Sequence, residues 1–366
     1  MAREEFKNLE LGKKENIELW KKFTKLSLKE FKKVYERLGI DFNRYVGESF
    51  YESLNEKTLD LLRKKKLVER SEGALVVNLD KFDMPPCILK KSDGATTYEL
   101  RDISAAIYRY KKYSFDEMLY VVDTRQSLHF RQVFKVLELC GFKWAKKCKH
   151  VEFGLMKFPS GVMATRKGKV VILEDVLDKA KELILKIIKE KNPKLKNKEK
   201  IADQVSIGAI IFWDLLHDRI KDIVFEWDKV LDFEGETGPY VQYAHSRACS
   251  ILKKAKLKVG ELKLTKDCFA LLNKKEEIKL VKLLGEFGFV IKESATHYKP
   301  SILARYLIEV AQAFNEFYHS CPCLKEKNEN LKKLRLLLVF ASKQVLSNGL
   351  RLLGIKAPES MSVSYT

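Results

Sequence analysis

The sequence has no run of about eighteen consecutive apolar residues, so a membrane-spanning helix is not expected. Its first residues, MAREEFKNLELGKKENIELWKK, are charged and hold no apolar core, which argues against a secretory signal or an N-terminal anchor. The seven cysteines are scattered. Cys321 and Cys323 form a C-P-C, the wrong spacing for a zinc knuckle, and Cys148 and His150 have no second pair nearby. No metal site is expected; reduced thiols in a cytoplasmic protein are. No internal repeat is visible. Acid is in short supply: 50 Asp and Glu face 70 Lys and Arg, a net charge of +20. A basic balance favours a polyanionic partner, most often nucleic acid. The competing reading is a lysine-rich proteome.

What is present suffices for two or three domains: 366 residues, 46% of them apolar, an ordinary share for an ordered chain. Residues 1–70 read mainly as helix. Ile17, Trp20, Phe23, Leu26, Leu28, Phe31, Val34 and Leu38 recur at threes and fours, with a break at Ser27 and a stop at Gly39. DFNRYVGESFYES reads as a short strand and a Gly-centred turn. GALVVNLD, MPPCILKK and EMLYVVDT read as strands, and ATTYELRDISAAIYRYKKY as a strand running into a helix. SLHFRQVFKVLELCGF is an amphipathic helix ending at Gly141. Strands alternating with helices, some wholly apolar, predict a parallel α/β sheet covered on both faces. From about residue 174 the pattern is helical. KIIKEKNPKLKNKEK (186–200) reads as an exposed junction around Asn192-Pro193. Leu303, Leu307, Val310, Phe314 and Phe317 form one stripe, and NLKKLRLLLVFASKQVLSNGLRLLG a further helix ended by Gly354 and Pro358. The expected architecture is an α/β part over 1–200 followed by an all-α helix bundle over 201–366.

Three patterns carry chemistry. GVMATRKG (161–168) lies between the strand-like runs HVEFGLMKF and KVVILEDVL. Adjacent Arg166 and Lys167 before Gly168 suit a loop closing over a polyphosphate, where they would neutralise charge on a leaving pyrophosphate. The same triplet also occurs on surfaces that bind nothing. Tyr98 and Asp102, four apart at a predicted helix start, can share one face; an ordinary solvated helix start is the alternative. His129, on a predicted helix, reads on its own as a half-buried helical histidine.

In context, MATRKG followed by VVILEDVLDKA resembles the KMSKS-type signature of class I aminoacyl-tRNA synthetases, and more narrowly the MSTRKG form of arginyl-tRNA synthetases. GESFYES, MPPCILKKSDGATTYELRDISAA, YVVDTRQSLHFRQVFKVLELCGF, RIKDIVFEWDKVLDFEGETGPYVQYAHSRACSIL and LLGIKAPESM extend the resemblance over essentially the whole chain. It implies a class I Rossmann-type catalytic domain, of which this would be the second part, with a helical insertion, then a helical anticodon-binding (DALR-type) bundle. It implies an arginine–tRNA ligase: ATP, with Mg2+ as its counter-ion, activates L-arginine for transfer to tRNA(Arg). Glu48, Tyr98, Asp102 and Gln126 would bind arginine, with Asp102 facing the guanidinium. Met163, Thr165, Arg166, Lys167 and Gly168 would form the phosphate loop. His129, Phe153, Gly154 and Leu155 would lie toward the nucleotide, Gly154 allowing close approach of the base.

For tRNA, the resemblance points to Tyr240, Tyr243, Arg247, Lys253 and Lys254, together with Tyr318 and Met361 as contacts to anticodon bases. Gln242 and His245 could add hydrogen bonds, while Phe314 and Phe317 read as core. Two features depart from the family. Val162 stands where a Lys precedes the Met, and Ala164 where a Ser follows it. The family's H-x-G-H motif is missing: none of His129, His150, His217, His245, His297 and His319 frames it. The expectation is therefore a C-terminal part, whether a fragment, a split-gene product or a truncated gene, inactive alone and monomeric; a split gene would supply a separate N-terminal half with that motif. A non-catalytic tRNA- or RNA-binding remnant is the alternative.

Overall fold

The computed structural model describes residues 4–5, 8–9, 11–158, 171–256 and 265–361. They form a mixed α/β, Rossmann-like part followed by an all-α helix bundle. Two compact units emerge, one of residues 43–157 and 218–224, the other of 1–42, 158–217 and 225–366.

Helix α1, Lys14–Leu38, is closed by Gly39, which donates to the Glu36 carbonyl. None of its 25 residues is buried. Arg37 ties its end to Asp178 at 2.6 Å and Asp203 at 3.4 Å. The short strand expected in DFNRYV does not form; the chain runs on into two 3-10 turns, Glu48–Phe50 and Glu52–Leu54. A strand needs a neighbour to take up its hydrogen bonds, and none is described there.

In the smaller unit, helix α2 (Asn55–Lys64) leads to strands β1 (Val68–Ser71), β2 (Ala74–Val77) and β3 (Cys87–Lys90). These pair antiparallel in chain order, with Val68 opposite Val77 and Val77 opposite Cys87. Glu72 and Gly73 both take positive φ, 50° and 80°, the two-residue turn that matches strand twist. The 78–86 connection is too short for a parallel crossover, which needs about a dozen residues. Sequence alone predicted one broad parallel sheet; among the described residues there are three small ones. Parallel pairing is confined to β4 (Met118–Asp123) with β5 (Cys148–Phe153), and β6 (Met156–Lys157) with β7 (Ile223–Val224).

Helix α3 (Tyr98–Tyr113) precedes β4, and the strand expected before it reduces to one bridge, Lys90 with Thr96. Thr97 caps α3: its hydroxyl donates to the Ile88 carbonyl at 2.6 Å and faces the Leu100 N–H. Helix α4 (Ser127–Leu139) joins β4 to β5 as a βαβ crossover. The core collects Leu59, Leu62, Leu89, Leu100, Ile103 and Val133. Inside it, Ser104 bonds Asn55 at 2.9 Å and Thr58 at 2.8 Å, so its buried hydroxyl is satisfied.

The other unit continues with α5 (Leu173–Lys191), α6 (Lys198–Leu216) and the short α7 (Trp227–Val230). Of the run KVVILEDVL, read as strand-like, the part from Leu173 is helix; Glu174 and Asp175 fall in the first turn, where the helix dipole favours acids. The stretch at 186–200 holds the end of α5, the turn at 192–197 and the start of α6; the two helices pack on each other. Then follow α8 (Gly238–Ala255), α9 (Lys275–Gly285), α10 (Phe287–Thr296), α11 (Pro300–Ser320) and α12 (Glu329–Leu352). Leu303, Leu307, Val310, Phe314 and Phe317 are all buried, as their spacing predicts. Arg335 on α12 is held inside by Glu277 at 2.7 Å, Glu326 at 2.7 Å and the Pro322 carbonyl at 2.9 Å. No described helix is long and apolar enough to cross a membrane.

Candidate active site

The carboxyl ends of β4 and β5 lie side by side, with Asp123 opposite Phe153. In open α/β sheets this end is where ligands bind, because the helix N-termini that follow the strands gather there. After β4, Thr124–Gln126 form a 3-10 turn and α4 begins at Ser127, with Gln126 exposed at its N-terminal end. Ser127 donates to Glu152 at 2.8 Å, fastening the start of α4 to β5.

Helix α3 presents its first turn to the same place. Tyr98 is 63% exposed, while Asp102, one turn on, faces α4. His129 stands between the helices: Nε2 meets Asp102 Oδ2 at 2.7 Å and Nδ1 meets Glu99 Oε1 at 3.4 Å. Burial works to lower the imidazole pKa, but the two carboxylates outweigh it and hold it up at about 9. His129 is therefore an imidazolium at neutral pH. Glu99 shows the same contest: burial, the largest single influence, raises its pKa, but the His129 bond and charge, a backbone hydrogen bond and Thr97 together lower it more, and the net shift is downward.

Glu48, on the first 3-10 turn, meets Arg101 at 3.4 Å. The same guanidinium reaches Thr96 Oγ1 at 3.2 Å and lies 5.4 Å over the Tyr98 ring centroid. Glu48, Tyr98 and Asp102 thus gather around α3 with two cations already among them, Arg101 and His129. The sequence reading named neither Arg101 nor Glu99. The signal was available for Glu99, three residues before Asp102 and so on one face with it.

Phe153 is exposed at the end of β5, with Gly154 and Leu155 behind it. The space at Gly154 is filled by the chain's own backbone. A Cβ there would collide with the Lys221 carbonyl and lie 2.8 Å from the Asp222 nitrogen, and the Gly154 N–H donates to the Arg219 carbonyl at 2.6 Å. Leu155 N–H donates to the Asp222 carboxylate at 2.8 Å. The loop residues Met163, Thr165, Arg166, Lys167 and Gly168 lie outside the described residues, as do Val162 and Ala164. Among the described residues, no three of His, Cys, Asp and Glu come together as metal ligands.

In the helical unit, α8 divides the expected tRNA contacts. Tyr240, Tyr243 and Arg247 lie together, half-buried: Asn315 bonds the Tyr240 hydroxyl at 3.0 Å and Arg247 at 2.7 Å, and Arg247 reaches the Tyr243 hydroxyl at 3.1 Å. Lys253 and Lys254 are exposed on the last turn. Gln242 and His245 face inward and hold the C-terminal segment, through the Lys356 carbonyl at 2.7 Å and the Pro358 carbonyl at 3.1 Å. Tyr318 packs partly against the helical core. Met361 is 1% exposed, its N–H donating to Ser246 at 2.7 Å, so its side chain meets a base only if that end lifts.

The family of class I tRNA synthetases (R), catalytic domain, matches residues 1–227, and the DALR anticodon binding domain matches 241–361. The chain is 50% identical to the arginine–tRNA ligase of Clostridium kluyveri over 97% of its own length and 62% of that protein. It thus spans about three fifths of the curated relatives it matches. Among solved structures, the arginyl-tRNA synthetase of Plasmodium falciparum superposes with a TM-score of 0.82 at 28% identity, covering 98% of this chain and 61% of that one. That of Thermus thermophilus superposes with a TM-score of 0.76 at 30% identity, covering 84% and 58%. With the catalytic-domain match running over more than half its length, this chain belongs to the class I arginyl-tRNA synthetase family.

Proposed function

We propose that the chain is the larger part of an arginine–tRNA ligase, which activates L-arginine with ATP and transfers the arginyl group to tRNA(Arg). The observation that carries this is one chain matching the catalytic domain over 1–227 and the anticodon-binding domain over 241–361, in that order. Functionally we divide it into a partial catalytic domain, 1–200, and a helical anticodon-binding domain, 201–366. Mg2+ would come with ATP as part of the substrate.

In this reading Asp102 and Glu48 accept hydrogen bonds from the guanidinium of arginine, and Tyr98 and Gln126 frame it. The guanidinium is a planar fork with a fixed charge, so paired carboxylates select it over neutral analogues and over lysine. What supports the assignment is that Arg101 already lies against Glu48 and over Tyr98: the site accepts a guanidinium. Arginine takes Arg101's place there, while His129 holds Asp102 in position. Phe153, Gly154 and Leu155 lie along the adenine, with His129 on that side, and Met163, Thr165, Arg166, Lys167 and Gly168 close on the phosphates. Tyr240, Tyr243, Arg247, Lys253, Lys254, Tyr318 and Met361 serve tRNA binding. In this reading the protein works in the cytoplasm as a monomer.

The test is charging of tRNA(Arg) with labelled arginine by this chain together with the family sequence it does not span. Charging is expected with both parts and not with this chain alone. A second reading, a tRNA-binding paralogue without catalysis, is favoured by Val162 and Ala164 in the signature loop. Binding of tRNA(Arg) without charging by the assembled parts would establish that second reading.

A further inference from the structure

Two carboxylates share one ring. From the first turns of α3, Asp102 Oδ2 lies 2.7 Å from Nε2 of His129, and Glu99 Oε1 lies 3.4 Å from Nδ1. A neutral imidazole has one N–H and would turn a lone pair on one of the two carboxylates; the imidazolium donates to both. Burial presses against the charged form, yet the ring's pKa stands at about 9. Among the described residues no other titratable group bonds the ring. His150 of β5 and Tyr120 of β4 lie across the Phe130 ring from it. Arg109 sits 5.9 Å over Tyr120. Cys87 of β3, a thiol that burial pushes up to about 12, lies toward Glu99. Beside the start of α4, Arg125 is taken up by Asp123 and Glu152 by Ser127.

Two carboxylates and one imidazolium carry a single net negative charge, the complement of one guanidinium. Asp102 and the imidazolium by themselves would carry none. We propose that Glu99 is a positioning residue for arginine that acts through His129: it is the counter-charge that lets the imidazolium fix Asp102 without cancelling the charge to which arginine is drawn. The step rests on the reading of Asp102 as an acceptor for the guanidinium. Exposure divides the roles. The Asp102 side chain is 31% exposed, Glu99 24% and His129 14%, so Asp102 is the member a ligand reaches most readily. Its Oδ2 is committed to His129, and among the described residues the carboxylate has no further partner, which leaves Oδ1 for the ligand. Glu99 spends its contact on the ring, three residues before Asp102 and on the same face of α3. A charge at that range acts strongly in a partly buried site even without touching the ligand.

The test has two arms. In the first, this chain is labelled with 15N-histidine and titrated by NMR, with the His129 signals identified through His129→Gln. The parent ring should stay an imidazolium up to about pH 9. In Glu99→Gln its proton affinity should fall by about tenfold or more, because one of two carboxylates is gone. In the second arm, arginine KM is measured in tRNA(Arg) charging by the assembled enzyme. It is read one pH unit below and one above the variant ring's own midpoint. Taking the ratio of Glu99→Gln to parent at each pH cancels the titration of arginine itself. Below the midpoint the variant's imidazolium cancels Asp102, and KM should rise by about tenfold, with the loss in KM rather than kcat. Above it the ring is neutral, Asp102 regains its charge, and the ratio should fall to about threefold or less. Adding His129→Gln to Glu99→Gln removes both charges, and should recover most of the low-pH loss. A purely structural role for Glu99 gives one ratio at both pH values. The proposal is overturned by that result, by a ring that titrates alike in parent and Glu99→Gln, or by a double variant that keeps the whole loss. If the parent itself fails to charge tRNA(Arg), the proposed function falls and this step with it; a parent that charges and a ratio indifferent to pH sink this step alone.

Discussion

Arg335 in the helix bundle and Arg101 beside the candidate pocket each lie against a carboxylate and a backbone carbonyl. The side chain of Arg335 is 4% exposed and meets two carboxylates at 2.7 Å each. Arg101 meets Glu48 at 3.4 Å, and Glu48 is 60% exposed. The first guanidinium has nowhere to go, because leaving would strand Glu277 uncompensated in the interior. The second, 11% exposed itself, is held by longer contacts, to a Glu48 carboxylate that water can reach and to Thr96 Oγ1 at 3.2 Å. The two networks differ in bond length and in the exposure of their carboxylates, with the same residue types on both sides.

Breaking the bundle's network should have the largest effect. Arg335→Ala leaves Glu277 buried and unpaired, and the unfolding free energy in urea should fall by about 3–5 kcal/mol. In the assembled enzyme, Asp102→Asn should cost about 1.5–3 kcal/mol of transition-state binding, roughly ten- to a hundredfold in kcat/KM for arginine. Its melting temperature should move much less than that of Arg335→Ala.

The third effect depends on pH. The His129 pKa is raised from 6.5 to about 9, so the folded state holds that proton more tightly than the unfolded chain does. The resulting stability is complete below pH 6.5 and is lost as pH rises through about 9. Denaturation measured across that window should show the decline in the parent and a flatter profile in His129→Gln. The smallest effect belongs to Arg101→Gln. Its carboxylate partner lies in water although the guanidinium does not, so stability should fall by about 1 kcal/mol, and in the proposed site arginine should bind slightly more tightly because an internal competitor is gone.

The stripe of Leu303, Leu307, Val310, Phe314 and Phe317 was legible because helical period alone places those side chains on one face. So were β4, α4 and α12, long segments with a consistent pattern. Short apolar runs were not. KVVILEDVL has the composition of a strand, yet from Leu173 it is helix, with Glu174 and Asp175 in the first turn where the dipole favours them. The sheet was misjudged because connection length decides pairing sense, and the 78–86 link rules out a crossover. In the site, Asp102 and Tyr98 were legible as neighbours on one helix. The bridge from Asp102 to His129 was not, since it joins two helices across 27 positions of sequence. Gln242 and His245 looked like groups for RNA, yet they bind the chain's own C-terminal carbonyls. A residue type states which bonds a side chain can make, and only the tertiary fold decides which of them are already taken.

The most direct measurement is arginine-dependent ATP–pyrophosphate exchange by the assembled parts in the presence of tRNA(Arg), with citrulline, the neutral isostere of arginine, as competitor. The account predicts exchange that depends on arginine, collapses in Asp102→Asn and is indifferent to citrulline. Exchange that survives Asp102→Asn undiminished, or that citrulline inhibits as effectively as arginine competes for its own site, would contradict it.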